Sequence, residues 1–127
     1  MALMQQISRR KPSGGKYKKR LVQKRKHALA RRPTLTRLGE QKAISVRRRG
    51  GTQRGRLLHA DKANVLDPKT KTFKVVAIKT ILEAPADANY VRRNMMVKGT
   101  VIDTELGKAR ITSRPGQNNF INAVLIK

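Results

Sequence analysis

The chain has 127 residues, 31 Lys plus Arg against 7 Asp plus Glu, a formal charge of +24, a hydrophobic fraction of 38% and no cysteine. This length suggests one small domain, the lack of cysteine excludes disulfides and thiolate metal sites, and no apolar run approaches the roughly 20 residues of a membrane span. Charge of one sign at this density repels itself, so a polyanion is the natural partner, and nucleic acid before an acidic membrane because no amphipathic or lipidated anchor is evident. Residues 1–60 hold 19 of the cations and one acid, Glu40, whereas residues 61–127 hold 12 cations and six acids. This asymmetry separates a basic N-terminal arm, residues 1–33, from a more ordinary globular part, residues 34–127. The first residues also lack the apolar core of a secretory signal.

From Ser8 to Lys26 the arm is almost continuously cationic, with Arg9, Arg10, Lys11, Lys16, Lys18, Lys19, Arg20, Lys24, Arg25 and Lys26. Pro12, Ser13, Gly14 and Gly15 interrupt it with a turn cluster. Tyr17, Leu21 and Val22 offer little apolar surface, so the arm alone cannot offset its ordering entropy and is expected to be extended until it binds. A short helix over 21–30 is compatible with the composition and would end before Pro33. Beyond Pro33 the pattern has period two. Thr34–Leu38 reads as a strand, and so does Lys42–Arg49, which runs into Gly50-Gly51. Arg56–Leu66 and Phe73–Leu82 read as a hairpin about the turn Asp67-Pro68-Lys69-Thr70. Asp87 is placed to cap a short helix through Tyr90, Val91, Arg92 and Arg93. Thr100–Glu105 and Lys108–Ser113 form a second hairpin across Leu106-Gly107, and Phe120–Ile126 closes the series. Six or so short strands with turns between them predict a mainly β fold, a small antiparallel barrel or sandwich with one or two short helices. Phe73 and Phe120 are expected in its core.

Gly14-Gly15 and Gly50-Gly51 stand among Arg and Lys. Glycine lets a backbone approach a phosphate closely, and neighbouring guanidinium groups can each hold two phosphate oxygens. The plainer alternative is a pair of surface turns, but Arg47-Arg48-Arg49 in succession is costly without a partner. Gly50 and Gly55 have the gap of a nucleotide-binding loop, yet Arg56-Leu57 follows where Lys-Ser or Lys-Thr is required, so that reading fails. There is no Gly-x-Ser-x-Gly elbow. His27 and His59 stand 32 positions apart without patterned acids, and a metal role is not supported. Asp103 and Glu105 are better suited to pairing with Lys108 or Arg110 across a hairpin than to acid–base work. Aromatic residues are scarce, with Tyr17 the one ring expected near a base or sugar, so binding should rest on phosphates and shape.

These stretches together closely resemble the archaeal and eukaryotic-type S8e family of small-subunit ribosomal proteins. The residues that carry the resemblance are Ser8-Arg9-Arg10-Lys11-Pro12-Ser13-Gly14-Gly15, Arg47-Arg48-Arg49-Gly50-Gly51, Arg56-Leu57-Leu58 through Ala63-Asn64-Val65, and Asn89-Tyr90-Val91-Arg92-Arg93-Asn94. A last block runs from Lys98-Gly99-Thr100 through Leu106-Gly107-Lys108-Ala109-Arg110 to Arg114-Pro115-Gly116-Gln117. The compact length is similar to the archaeal branch. The resemblance implies a β-barrel body, here six-stranded and antiparallel, with an extended arm, both lying on small-subunit RNA. It implies a non-enzymatic structural constituent of the small subunit that takes part in translation, in the cytoplasm and bound to the ribosome, beside neighbouring ribosomal proteins. No cofactor, metal, small-molecule substrate, membrane or homo-oligomer is expected.

The expected RNA contacts in the arm are Arg9, Arg10, Lys11, Ser13, Gly14, Gly15, Lys16, Tyr17, Lys18, Lys19, Arg20, Lys24, Arg25, Lys26, Arg31 and Arg32. In the globular part they are Arg47, Arg48, Arg49, Gly50, Gly51, Arg54, Arg56, Arg92, Arg93 and Arg114. Two rivals share the charge. A DNA-compacting protein would normally carry a dimerisation surface or a DNA-reading helix, and an RNA-modifying enzyme would need a nucleophile, metal cluster or cofactor loop; none is evident.

Overall fold

The computed structural model describes residues 10–17 and 26–126. The chain divides into two compact units, Met1–Pro33 and Thr34–Lys127.

In the first unit, residues 10–16 fold back on themselves. The Gly14 N–H donates to the Lys11 carbonyl (2.9 Å) and the Lys11 N–H to the Gly15 carbonyl (2.8 Å), and Arg10 and Lys16 form an antiparallel bridge. Pro12 presets the second position of this turn, and Gly14, with φ of 83°, takes the left-handed conformation that lets the two arms meet. Of the helix expected over 21–30, residues 21–25 lie outside the described residues, and Lys26–Ala28 makes a single 3-10 turn.

The described residues of the second unit form nine strands, one short α-helix and a 3-10 turn at Arg49–Gly51. The strands are β1 (Thr36–Leu38), β2 (Lys42–Arg47), β3 (Gln53–Ala60), β4 (Lys62–Asp67), β5 (Thr72–Glu83), β6 (Met95–Met96), β7 (Val101–Thr104), β8 (Gly107–Ile111) and β9 (Asn122–Leu125), and α1 is Asn89–Arg92. The expected β-barrel is present, with five strands rather than six, in the order β4-β5-β7-β8-β9. It closes through a parallel pairing of β4 with β9, so it is not wholly antiparallel. A second sheet, β2-β3-β1-β6, takes up the remaining strands, with β1 parallel to β3.

A five-stranded barrel has a narrow bore, and the sequence fits it by setting small residues opposite large ones. Ala63 faces Val76, Ala109 faces Ile102, and Ala123 faces Ile111 in the ladders, and all six are buried. Alternation of small and large side chains is how small barrels fill their interiors. Leu57 and Ala60 of β3 and Met96 of β6 join this cluster, so the two sheets share one core. Removing a side chain such as Ile102 from water contributes about 1.5–3 kcal/mol.

Phe73 and Phe120 are not in this core; they are 69% and 51% exposed. Along β5 both faces are apolar, Phe73, Val75 and Ala77 on one and Val76 and Ile78 on the other, so alternation alone does not say which face turns inward. The face without the ring, Val76 and Ile78, takes the bore. Phe120 precedes β9, and Ile121 fills the interior position beside it.

The run Arg56–Leu66, expected as one strand, is broken at Asp61, where the chain leaves the four-stranded sheet and enters the barrel. The Asp61 carbonyl accepts from the Ile78 N–H (2.8 Å) at this corner. The turn between β4 and β5 forms as expected. The Asp67 carboxylate accepts from the Lys69 N–H (2.9 Å) and the Thr70 hydroxyl (3.1 Å), and the Lys69 amide foremost holds its pKa below the ordinary carboxylate value.

The segment 112–121 between β8 and β9 joins the two sheets. The buried Pro115 accepts the Leu57 N–H on its carbonyl (3.2 Å), and Gly116 packs directly on the Thr34 carbonyl, leaving no room for a side chain. Gln117 accepts from the Arg54 guanidinium (2.8 Å), and the Asn119 side chain occupies the space beside Gly55.

Candidate nucleic-acid interface

Four groups of cations come out of these elements. In the arm, Arg10, Lys11, Ser13, Gly14, Gly15, Lys16 and Tyr17 are all exposed on the small hairpin. Arg10 donates to the Gly14 carbonyl (3.2 Å), and the Lys11 ammonium stands 5.7 Å from the centroid of the Tyr17 ring. Both contacts brace the turn while leaving it open to a ligand. Lys26, Arg31 and Arg32 are exposed as well. Arg9, Lys18, Lys19, Arg20, Lys24 and Arg25, also expected to bind, lie outside the described residues.

The second group is the tip of the β2–β3 hairpin. The Arg48 N–H donates to the Thr52 carbonyl (2.7 Å) and the Gly51 N–H to the Arg48 carbonyl (3.2 Å). Gly50 and Gly51 both have φ of 80°, a conformation open to glycine and strained for other residues. This tight loop carries Arg47 and Arg48 exposed at its base, with Arg49 in its backbone. Most of β2 is exposed, including Ile44, so the ribbon stands clear of the core. Arg54 and Arg56, half-buried at alternate positions of β3, share one of its faces with Ile44 and Val46, their partners in the ladder. The Arg54 head donates to Gln117, which orients it.

The third group is α1. The Asn89 N–H donates to the Asp87 carboxylate (2.9 Å), so Asp87 starts the turn as expected. Arg92 and Arg93 follow, exposed, and line a shallow depression with Asp87 and Asn89. Arg114 stands exposed at the start of the 112–121 segment, where its carbonyl accepts from Gln117 and Asn118.

A fourth group was not anticipated from the sequence. Arg37 of β1 and Lys42 of β2, both exposed, are each partnered with His59 of β3, so the three lie in a row across three strands. The row depends on a parallel pairing of β1 with β3 that no local pattern announces. Elsewhere, Asp103 stands opposite Lys108 in the ladder, while Glu105 lies in the turn and not on the strand.

Such an arrangement can hold phosphates. Among the described residues no group of three or more His, Asp or Glu is placed to hold a metal ion, and no helix is long and apolar enough to cross a membrane.

The profile of the ribosomal protein S8e family matches residues 4–126. The chain belongs to that family. Among curated relatives, the small ribosomal subunit protein eS8 of Picrophilus torridus is 52% identical over 126 residues, covering 99% of this chain and all of the relative. The protein of the same name from Hyperthermus butylicus is 50% identical, covering 93% of this chain and 88% of its own length. That of Methanococcus aeolicus is 46% identical over 99% of this chain and 98% of its own. The relatives are named as ribosomal proteins, not as enzymes. The match to the S8e family thus spans both units, and the arginine-rich hairpin tip, α1 and the 112–121 segment all fall within it.

Proposed function

We propose that the chain is a structural constituent of the small ribosomal subunit, which binds and stabilises small-subunit ribosomal RNA chiefly through phosphate contacts from Lys and Arg. The observation that carries this reading is the match, over nearly the whole chain, to proteins named as small ribosomal subunit protein eS8. The charge geometry supports it, since the cations of the candidate interface gather at turns and at a standing ribbon, where phosphates can reach them. In this reading residues 1–33 form an RNA-binding arm and residues 34–127 a barrel domain that adds the 47–51 loop, Arg54, Arg56, Arg92, Arg93 and Arg114. The protein takes part in translation in the cytoplasm, bound to the ribosome among neighbouring ribosomal proteins.

Neutralising about 6–10 phosphates lowers affinity roughly 10³–10⁵-fold between about 50 and 200 mM salt. A salt titration of the full chain on folded small-subunit ribosomal RNA, with duplex DNA as competitor, tests the reading. A steep slope with preference for the RNA is expected. A flat response, or equal affinity for the duplex, would overturn it.

A further inference from the structure

The outer face of the barrel around β5 has a character unlike the cationic groups described above. Phe73 and Val75 are 69% and 68% exposed. Phe73 is partnered with Leu66 on β4, and Leu66 with Val124 on β9, while Ile126, just beyond β9, is also exposed. Three adjacent strands therefore present one outward apolar row, with Val75 and Ile126 at its flanks. Cations surround it: Lys69 and Lys71 in the β4–β5 turn, Lys62 opposite Ala77 at the other end, and Arg110 opposite Val124 on β8. The nearest acid, Asp67, is held in its own turn by Lys69 and Thr70.

We propose that this face docks a neighbouring protein, not RNA, and that the partner offers apolar side chains ringed by acidic residues. Apolar patches of this kind rimmed by charge mark interaction sites, and an exposed aromatic within one is a common anchor. RNA would meet the lysines but would bury a single ring, leaving the aliphatic row against a polar, hydrated backbone. The complementary rim for these four basic residues is acidic. The inference rests on the placement of the chain in the small subunit and adds which face meets protein there.

The test uses full-length chain carrying Phe73→p-benzoylphenylalanine, with a second preparation carrying the same photocrosslinker at Val75. Each is incorporated into small subunits, which are purified, irradiated and mapped at the peptide and nucleotide level. A crosslink from either position to another protein, at an apolar segment flanked by Asp or Glu, is expected. A crosslink to RNA, a crosslink to a second copy of this chain, or none from either position would overturn the inference. Phe73→Ser/Val75→Ser in the same chain should keep its melting temperature and its affinity for isolated ribosomal RNA. Its occupancy in the subunit should fall about tenfold when competed against the parent; equal occupancy would also overturn the inference. If the parent chain itself does not enter small subunits, the placement in the ribosome fails, and this inference with it.

Discussion

Gly116→Ala tests whether the 112–121 segment holds the two sheets together. A Cβ at position 116 would sit inside the contact distance of the Thr34 carbonyl oxygen and 3.3 Å from the Thr34 Cβ. The obstacle is backbone, so it cannot swing aside. Overpacking of this sort costs about 1–3 kcal/mol. If the segment moves to relieve it, Pro115 withdraws from Leu57, whose N–H now donates to it across 3.2 Å. An orphaned buried donor adds about 1–3 kcal/mol. A total near 3 kcal/mol should lower the melting temperature by about 10 °C or more for a unit of this size. The assay is thermal unfolding of the full chain followed by circular dichroism. Gly55→Ala is the control, because its Cβ meets the Asn119 side chain, which Asn119→Ala removes. The Gly55→Ala/Asn119→Ala pair should recover most of the loss, whereas no side-chain truncation should rescue Gly116→Ala. A Gly116→Ala melting temperature within about 2 °C of the parent would refute the reasoning.

The barrel interior should respond to volume in both directions: Ile102→Ala should lose about 2–5 kcal/mol, and Ala109→Leu, opposite it, about 1–3 kcal/mol, both read by denaturant titration. Arg92→Ala/Arg93→Ala should weaken RNA binding evenly across sequences and reduce the slope of log affinity against log salt by about 2, measured by filter binding. The Asp67 carboxylate is held below its ordinary value by the Lys69 amide, so the stabilisation it gives is present at neutral pH and lost as pH falls through the lowered value. Thermal melts below about pH 4 should show that part of the acid sensitivity disappear in Asp67→Asn.

Local chemistry was legible wherever it was local. Asp67-Pro68-Lys69-Thr70 and the paired glycines at 14–15 and 50–51 fall in or close the turns their residue types demand. The second hairpin turns one residue earlier than expected, at Glu105-Leu106 with Gly107 opening β8, and Asp87 starts the helical turn that presents Arg92 and Arg93. What stayed hidden depends on residues far apart in sequence. The parallel pairings of β1 with β3 and of β4 with β9 leave no periodic mark, so the strand count of the barrel and the row Arg37, His59 and Lys42 were not readable. The break at Asp61 has no glycine or proline to announce it. Phe73 and Phe120 misled because an aromatic in a β-rich run ordinarily means core, while this five-stranded bore is filled by alanine, branched aliphatics and Thr104.

The pairing of Asn64 on β4 with Asn122 on β9 bridges 58 positions of chain. Translation delivers β4 long before β9, so a nascent chain holds an open sheet with two bare edges until the last strand emerges. Closure is therefore a late, non-local step, slow by the rule that distant contacts fold slowly, and the unfinished edges are open to wrong pairing in the meantime. The basic arm leaves the exit tunnel before any of the nine strands. An RNA or chaperone that engages the arm then acts on a chain whose barrel has yet to exist.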